Sequence, residues 1–205
     1  MSQSIPMTTE NTVIRPDFAL ISQWVKPNAK VLDLGCGDGE LLTHLHHQHD
    51  IRGYGIEKDD KNWLTAMENG VDVLQMDLES GLSGFEDLSF DTVILSQTLQ
   101  AMHNTEGIVK EMLRVGREAI VTFPNFGYWR NRIQILLGQM PVSKTLPYQW
   151  YDTPNVHLCT IHDFDTFCRN HNIVVIERKV ITGGQDVQFL PNFLGNLAMY
   201  RLKIA

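Results

Sequence analysis

A short apolar run carrying Asp33 leads straight into three glycines at alternate positions, Gly35, Gly37 and Gly39, giving V-L-D-L-G-C-G-D-G from Val31. The run suits a strand buried in a parallel sheet. Residues without a Cβ let the chain turn sharply and approach a ligand closely. After the turn, Leu41, Leu42 and Leu45 recur at helical spacing and predict a helix over Gly39–His49. A strand, a glycine turn and a helix in succession make an α/β unit, and in such folds ligands sit beyond the carboxyl ends of the strands.

The spacing of the glycines selects the ligand chemistry. In the dinucleotide pattern G-x-G-x-x-G two spacers precede the last glycine, and the helix it opens receives a pyrophosphate. Here the last glycine arrives one residue early, at Gly39, and Glu40 stands where that pattern needs glycine. A carboxylate at the mouth of the helix repels a pyrophosphate but tolerates a ligand carrying an ammonium and a sulfonium. S-adenosylmethionine has that chemistry, and Asp33-Leu34-Gly35-Cys36-Gly37-Asp38-Gly39 resembles the first motif of the class I methyltransferases. The resemblance implies an α/β, Rossmann-like class I methyltransferase fold, with a mostly parallel seven-stranded sheet, helices on both faces and an antiparallel last strand.

The following segments supply groups that a nucleoside needs. A second strand over Ile51–Glu57 ends in a carboxylate 18 residues past Gly39. That offset suits a strand–helix–strand unit, and one carboxylate can accept from both ribose hydroxyls. A third strand over Val71–Met76 delivers Asp77 and Leu78, which in the methyltransferase pattern meet the adenine through a carboxylate and a backbone N–H. The fourth strand, Phe90–Ser96, is the most β-branched and apolar, and Ser96 stands at its exit. That exit lacks the Asn/Asp-Pro-Pro-Tyr/Phe turn of methyltransferases acting on base or amide nitrogens. The cofactor set read from these segments is Asp33, Gly35, Cys36, Gly37, Gly39, Glu57, Asp77, Leu78 and Ser96.

After a fifth strand over Ala119–Phe123, residues 125–160 carry Phe126, Tyr128, Trp129, Tyr148, Trp150 and Tyr151, with Pro141, Pro147 and Pro154 among them. A connection this long is functional, as a lid over the ligand or a docking surface. The orderings Phe123-Pro124-Asn125-Phe126-Gly127-Tyr128-Trp129 and Tyr151-Asp152-Thr153-Pro154-Asn155-Val156-His157, with Arg15-Pro16-Asp17, closely resemble the MetW family of methionine biosynthesis. That resemblance implies an S-adenosylmethionine-binding protein, or one holding S-adenosylhomocysteine, that acts with homoserine O-acyltransferase. The alternative is an active methyltransferase on a small-molecule hydroxyl or carboxyl acceptor. His103, Tyr128 and His157 are the candidate groups to orient or deprotonate such an acceptor, and the residues leave the catalytic assignment open.

Composition narrows the classes further. The length of 205 residues suits one domain, 1–205, with the aromatic insertion inside it. With 17 basic against 24 acidic residues and no run of Lys or Arg, nucleic acid is an unsuitable partner. No apolar stretch approaches a membrane span and Met1–Asn11 is polar, so a cytosolic protein is expected. Cys36, Cys159 and Cys168 lack paired spacing, which points to reduced thiols. His44, His46, His47 and His49 lack i, i+4 spacing and a completing ligand set, so no metal is expected.

Overall fold

A computed structural model describes residues 15–205; the polar Met1–Asn11 segment lies outside the described residues. Period-2 alternation builds one sheet whose two faces bury different residues. The parallel strands are β1 (Lys30–Leu34), β2 (Arg52–Glu57), β3 (Asp72–Gln75), β4 (Phe90–Ser96) and β5 (Gly116–Pro124). In β4, Val93 and Leu95 join one apolar cluster while Ile94 joins the other. The same split puts Val121 and Phe123 of β5 on one side and Ile120 on the opposite side.

Helices cover both faces. On one, α1 (Pro16–Trp24) and α2 (Glu40–His49) bury Phe18, Ile21, Trp24 and Leu45 against the sheet. On the other, α4 (Thr105–Val115) and α6 (Ile161–Asn170) bury Val109, Met112 and Phe164. Between β2 and β3 runs α3 (Asp60–Glu68), whose first turn is capped by the Asp59 side chain accepting from the Lys61 and Asn62 N–H groups. No helix among the described residues is long and apolar enough to cross a membrane.

The remaining strands are β6 (Ile173–Thr182), β7 (Gln185–Asp186) and β8 (Leu197–Ile204), and the sheet order is β3-β2-β1-β4-β5-β8-β6-β7. The last strand, β8, runs antiparallel to β5 and β6. The sheet therefore has eight strands where seven are expected. The addition comes from Gly183 and Gly184, both at positive φ, which fold Gln185 and Asp186 back onto Thr182 and Ile181 as a two-residue edge strand. Strand order reverses between β1 and β4, so the ligand crevice opens at their carboxyl ends.

The 125–160 insertion is fastened at its base by one buried side chain. Asn125 follows β5, and its Nδ2 donates to the Gly195 carbonyl at 2.8 Å and the Asn192 carbonyl at 3.1 Å. Its Oδ1 accepts from the Gly127 N–H at 3.0 Å and the Ile161 N–H at 3.3 Å. One amide thus joins the start of the insertion, the start of α6 and the turn after α7 (Pro191–Leu194). Within the insertion, α5 (Trp129–Leu136) packs Asn131 inward and leaves Leu136 exposed. Replacing Asn125 with alanine strands several of these backbone groups in the interior. Equilibrium urea unfolding should show a loss of about 2–4 kcal/mol.

Candidate functional site

The glycine turn is stitched to the end of β2. The Gly35 and Cys36 N–H groups both donate to the Ile56 carbonyl, at 2.8 and 3.0 Å, and the Gly39 N–H closes the turn on the Cys36 carbonyl at 3.0 Å. All three glycines have positive φ. Glu57 reinforces the stitch, since its Oε2 accepts from the Gly37 N–H at 2.8 Å and its Oε1 from the Lys58 and Asp59 N–H groups at 2.8 Å each. A carboxylate offers roughly four lone-pair sites, so these three donors leave room for about one more.

The glycines divide the labour unequally. Gly37 has open space where a Cβ would stand, and with Gly35 it lines the crevice. Gly39 lines neither part of the crevice. A Cβ there would meet Val71 at 2.6 Å, so its lack of a side chain serves the seating of α2 beside β3.

Gly35 separates the crevice into two cavities. The larger, about 300 Å³, is lined by Glu57, Asp77, Leu78, Thr98, Met102 and His103. The smaller, about 110 Å³, is bounded by Asp33, Cys36, Gly37 and Ser96, with Arg15 and Phe18 on its far side. Asp77 sits at the larger cavity as a turn cap as well, accepting from the Glu79 N–H at 3.1 Å and from Lys58 Nζ at 2.6 Å. Those two donors, Lys58 first, hold its carboxyl below the usual range. Both side chains are well exposed, so the ion pair itself contributes little to stability.

Asp33 is the most unusual group in the crevice. It is 2 % exposed, and no donor among the described residues reaches its Oδ1. Burial pushes its carboxyl up to about 7, with Arg15 pulling the other way and Glu57 adding to the rise. A buried carboxylate without a donor costs several kcal/mol unless something cationic or a proton reaches it. The arrangement fits a ligand that brings an ammonium.

The residues considered for proton transfer are dispersed. His103 stands exposed on the rim of the larger cavity, and its carbonyl lies 3.2 Å from His157 Nε2. His157 borders a third, mostly apolar cavity of about 170 Å³ beside the exits of β4 and β5, with Leu99, Phe123 and Phe164. Tyr128 is buried at the start of α5 and lines none of the three. Burial, then Asp33 and Glu57, push the Cys36 thiol up to about 12, which keeps it protonated and a space-filler in the turn. The histidines of α2 go separate ways, His49 Nε2 to Ser22 Oγ at 2.8 Å and His46 Nδ1 to the Ile51 carbonyl at 3.1 Å.

Several residues of the crevice lie outside the set read from the sequence. Thr98, Met102 and Glu79 wall the larger cavity, and Glu79 accepts from the His103 N–H at 2.7 Å. Arg15 comes from the other end of the chain. Its Nη2 donates to Asp17 Oδ2 at 2.6 Å and to Ser96 Oγ at 3.3 Å, tying the start of α1 to the exit of β4. At that exit Gln97 adopts φ of 54°, and its side-chain amide donates to the same Asp17 carboxylate. The Arg15-Pro16-Asp17 triplet was visible in sequence, but nothing in its spacing places it on the glycine turn.

A model of the methionine biosynthesis protein MetW family matches residues 15–202. The bifunctional methionine biosynthesis protein MetXA/MetW of Rhodopirellula baltica is 35% identical over 96% of this chain, which spans 33% of that protein. The carboxy-S-adenosyl-L-methionine synthase of Campylobacter hominis is 29% identical over 49% of the chain and 43% of its own length. The chain thus spans well under two thirds of both curated relatives. Among solved structures, an S-adenosylmethionine-dependent methyltransferase from Mesorhizobium loti superposes with a TM-score of 0.68 at 13% identity, covering 92% of this chain and 97% of that one. The architecture is the Rossmann-like methyltransferase fold.

The state of Asp33 sets a pH dependence. Its folded-state value lies above the ordinary carboxylate value, so the native protein keeps a proton that the unfolded chain has lost. The associated stability is complete below about pH 4 and declines as pH rises towards about 7. Chemical denaturation of wild type and Asp33→Asn at steps from about pH 5 to about pH 7 should show wild type losing ground to the variant, by at most about 1.4 kcal/mol per pH unit. Parallel curves would mean the carboxyl is solvated.

Proposed function

Because the chain belongs to the methionine biosynthesis protein MetW family, we propose that it is an S-adenosylmethionine-binding, methyltransferase-like protein of methionine biosynthesis that acts with homoserine O-acyltransferase in the cytosol. The observation that carries the reading is the divided crevice at the β1–β4 switch point, where the donor-free Oδ1 of Asp33 belongs to the residue beside one cavity and Asp77 and Leu78 border the other.

The residues fit the cofactor by chemistry. Asp77 and Leu78 offer an acceptor and a backbone donor for an adenine edge, Glu57 retains acceptor capacity for a ribose hydroxyl, and Gly35, Cys36 and Gly37 let the backbone close on the thioether region. Ser96 closes the β4 side, and Gly39 acts at one remove by seating α2. When bound, the cofactor supplies a methyl group activated by its sulfonium.

The helper role draws support from two features. The name of the Rhodopirellula relative joins MetXA to MetW in one protein. The free end of the insertion exposes Trp150 and Tyr151 by 71% and 70%, and Leu136 by 85%. Aromatic side chains are common interface anchors. This single-domain unit, with its insertion at 125–160, presents such anchors on one connection. The second reading, methyl transfer to a small hydroxyl or carboxyl compound, draws on the apolar cavity that His157 borders.

The two readings part in one assay. With purified chain and homoserine acyltransferase, the helper role should alter acyl-transfer turnover without release of S-adenosylhomocysteine. Release with a small acceptor and no partner would instead make the chain an enzyme in its own right. In a calorimetric titration with S-adenosylhomocysteine, Glu57→Ala and Asp77→Ala should each cost about 1–3 kcal/mol of binding. Unchanged affinity in both would remove the nucleoside from this crevice.

A further inference from the structure

From Phe126 to Tyr151 the chain carries Arg130, Arg132 and Lys144 but no aspartate or glutamate, although acidic residues outnumber basic ones 24 to 17 overall. The insertion is a cationic segment on an acidic body. None of its three cations forms an ion pair among the described residues. Arg130 lies against the Trp129 ring and Arg132 against Phe193, with guanidinium carbons 5.3 and 5.7 Å from the ring centres. Stacking orients both arginines without neutralising them.

The same segment exposes apolar surface. While α5 turns Asn131 inward, Ile133, Leu136 and Leu137 stand exposed, with Leu136 one turn beyond Arg132 on the helix face that Phe193 adjoins. At the end of α5 an open groove of about 570 Å³ has Met140 and Trp150 on its walls, together with the side chains of Gln139 and Gln149. An exposed apolar patch rimmed by polar groups marks an interaction site. Charge selects the occupant. A second copy of the chain would bring like charges together across a two-fold axis. A lipid surface makes no use of glutamine amides in a groove, and anionic headgroups repel the acidic body. A protein surface with carboxylates around an apolar centre complements the cations, the exposed leucines and the amides together.

We propose that α5 and residues 138–151 form the face that docks homoserine O-acyltransferase, and that they meet an acidic patch with an apolar centre on that partner. Leu136 and Trp150 serve as its anchors, and Arg130 and Lys144 as its charged rim. The inference rests on the helper reading above and supplies the chemistry of the contact. Rim charges act on encounter and salt dependence, whereas central anchors act on dissociation.

The test is a calorimetric titration of the full chain against the purified homoserine O-acyltransferase of the same organism, at about 50 and about 500 mM salt. Wild type should bind about tenfold more weakly in the higher salt. Arg130→Glu/Lys144→Glu should lose about tenfold in the lower salt and little in the higher, while Leu136→Asp should lose about tenfold or more in both. Thermal melts and S-adenosylhomocysteine affinity should match wild type in both variants, because the three side chains are exposed and line neither part of the crevice. Partner binding that ignores both salt and substitution overturns the proposal. So does a dimer in light scattering that Leu136→Asp dissolves, or retention on phosphatidylglycerol vesicles that Leu136→Asp abolishes. If wild type binds S-adenosylhomocysteine but no acyltransferase, the helper reading itself falls.

Discussion

The crevice depends on the Glu57 carboxylate. By accepting from the Gly37, Lys58 and Asp59 N–H groups it binds the glycine turn to the end of β2 and sets the start of the chain leading into α3. Charge-assisted bonds to backbone donors are about twice as strong as neutral ones, and here three converge on one side chain that is 9% exposed. Without that clamp the turn would keep the two N–H contacts to the Ile56 carbonyl, its own closing bond and the Asn69 side-chain amide on the Asp38 carbonyl. The same group faces the larger cavity, so whatever binds there shares a carboxylate that already organises the site.

Asp33 plays the complementary part. Glu57 is held by three backbone donors, whereas Asp33 is buried with little to satisfy it, and burial first, then the nearby Glu57, raise its cost of ionisation. Two carboxylates so close, one organised and one frustrated, give the crevice a standing preference for cations. The cysteine in the turn responds to the same field, which holds its thiol in the neutral form. An acidic interior of this kind excludes a pyrophosphate for the reason that Glu40 suggested at the level of sequence.

Local pattern made much of this legible. The alternation in Phe90–Ser96 and the glycines after Asp33 fixed strand, turn and helix, because burial on both faces and the need for positive φ leave few alternatives. The offset from Gly39 to Glu57 carried the second strand end for the same reason. Arg15 was not assignable to the crevice, since its place depends on α1 folding across the sheet to meet Ser96, 81 residues away. The edge strand Gln185–Asp186 was hidden too, because two residues carry no periodicity. Nor did the six aromatics of the insertion announce their division, with Tyr128 buried at the Asn125 base and Trp150 and Tyr151 at the surface.

That division links the insertion to the crevice. Its returning leg donates the Val156 and His157 N–H groups to the Gln100 carbonyl, just past the β4 exit, at 2.8 and 3.0 Å. Gln100 in turn donates to the Gln97 carbonyl, and Gln97 reaches Asp17, the partner of Arg15. A continuous set of hydrogen bonds therefore runs from the smaller cavity to the segment bearing the exposed aromatics. Contiguity of this kind supplies a route, while coupling also needs two states of the route that ligand and partner favour differently. The positive φ at Gln97, uncommon for a residue with a side chain, makes it the place for a second state. Any partner that grips the insertion more tightly in that second state would, by reciprocity, tighten the nucleoside to the same degree.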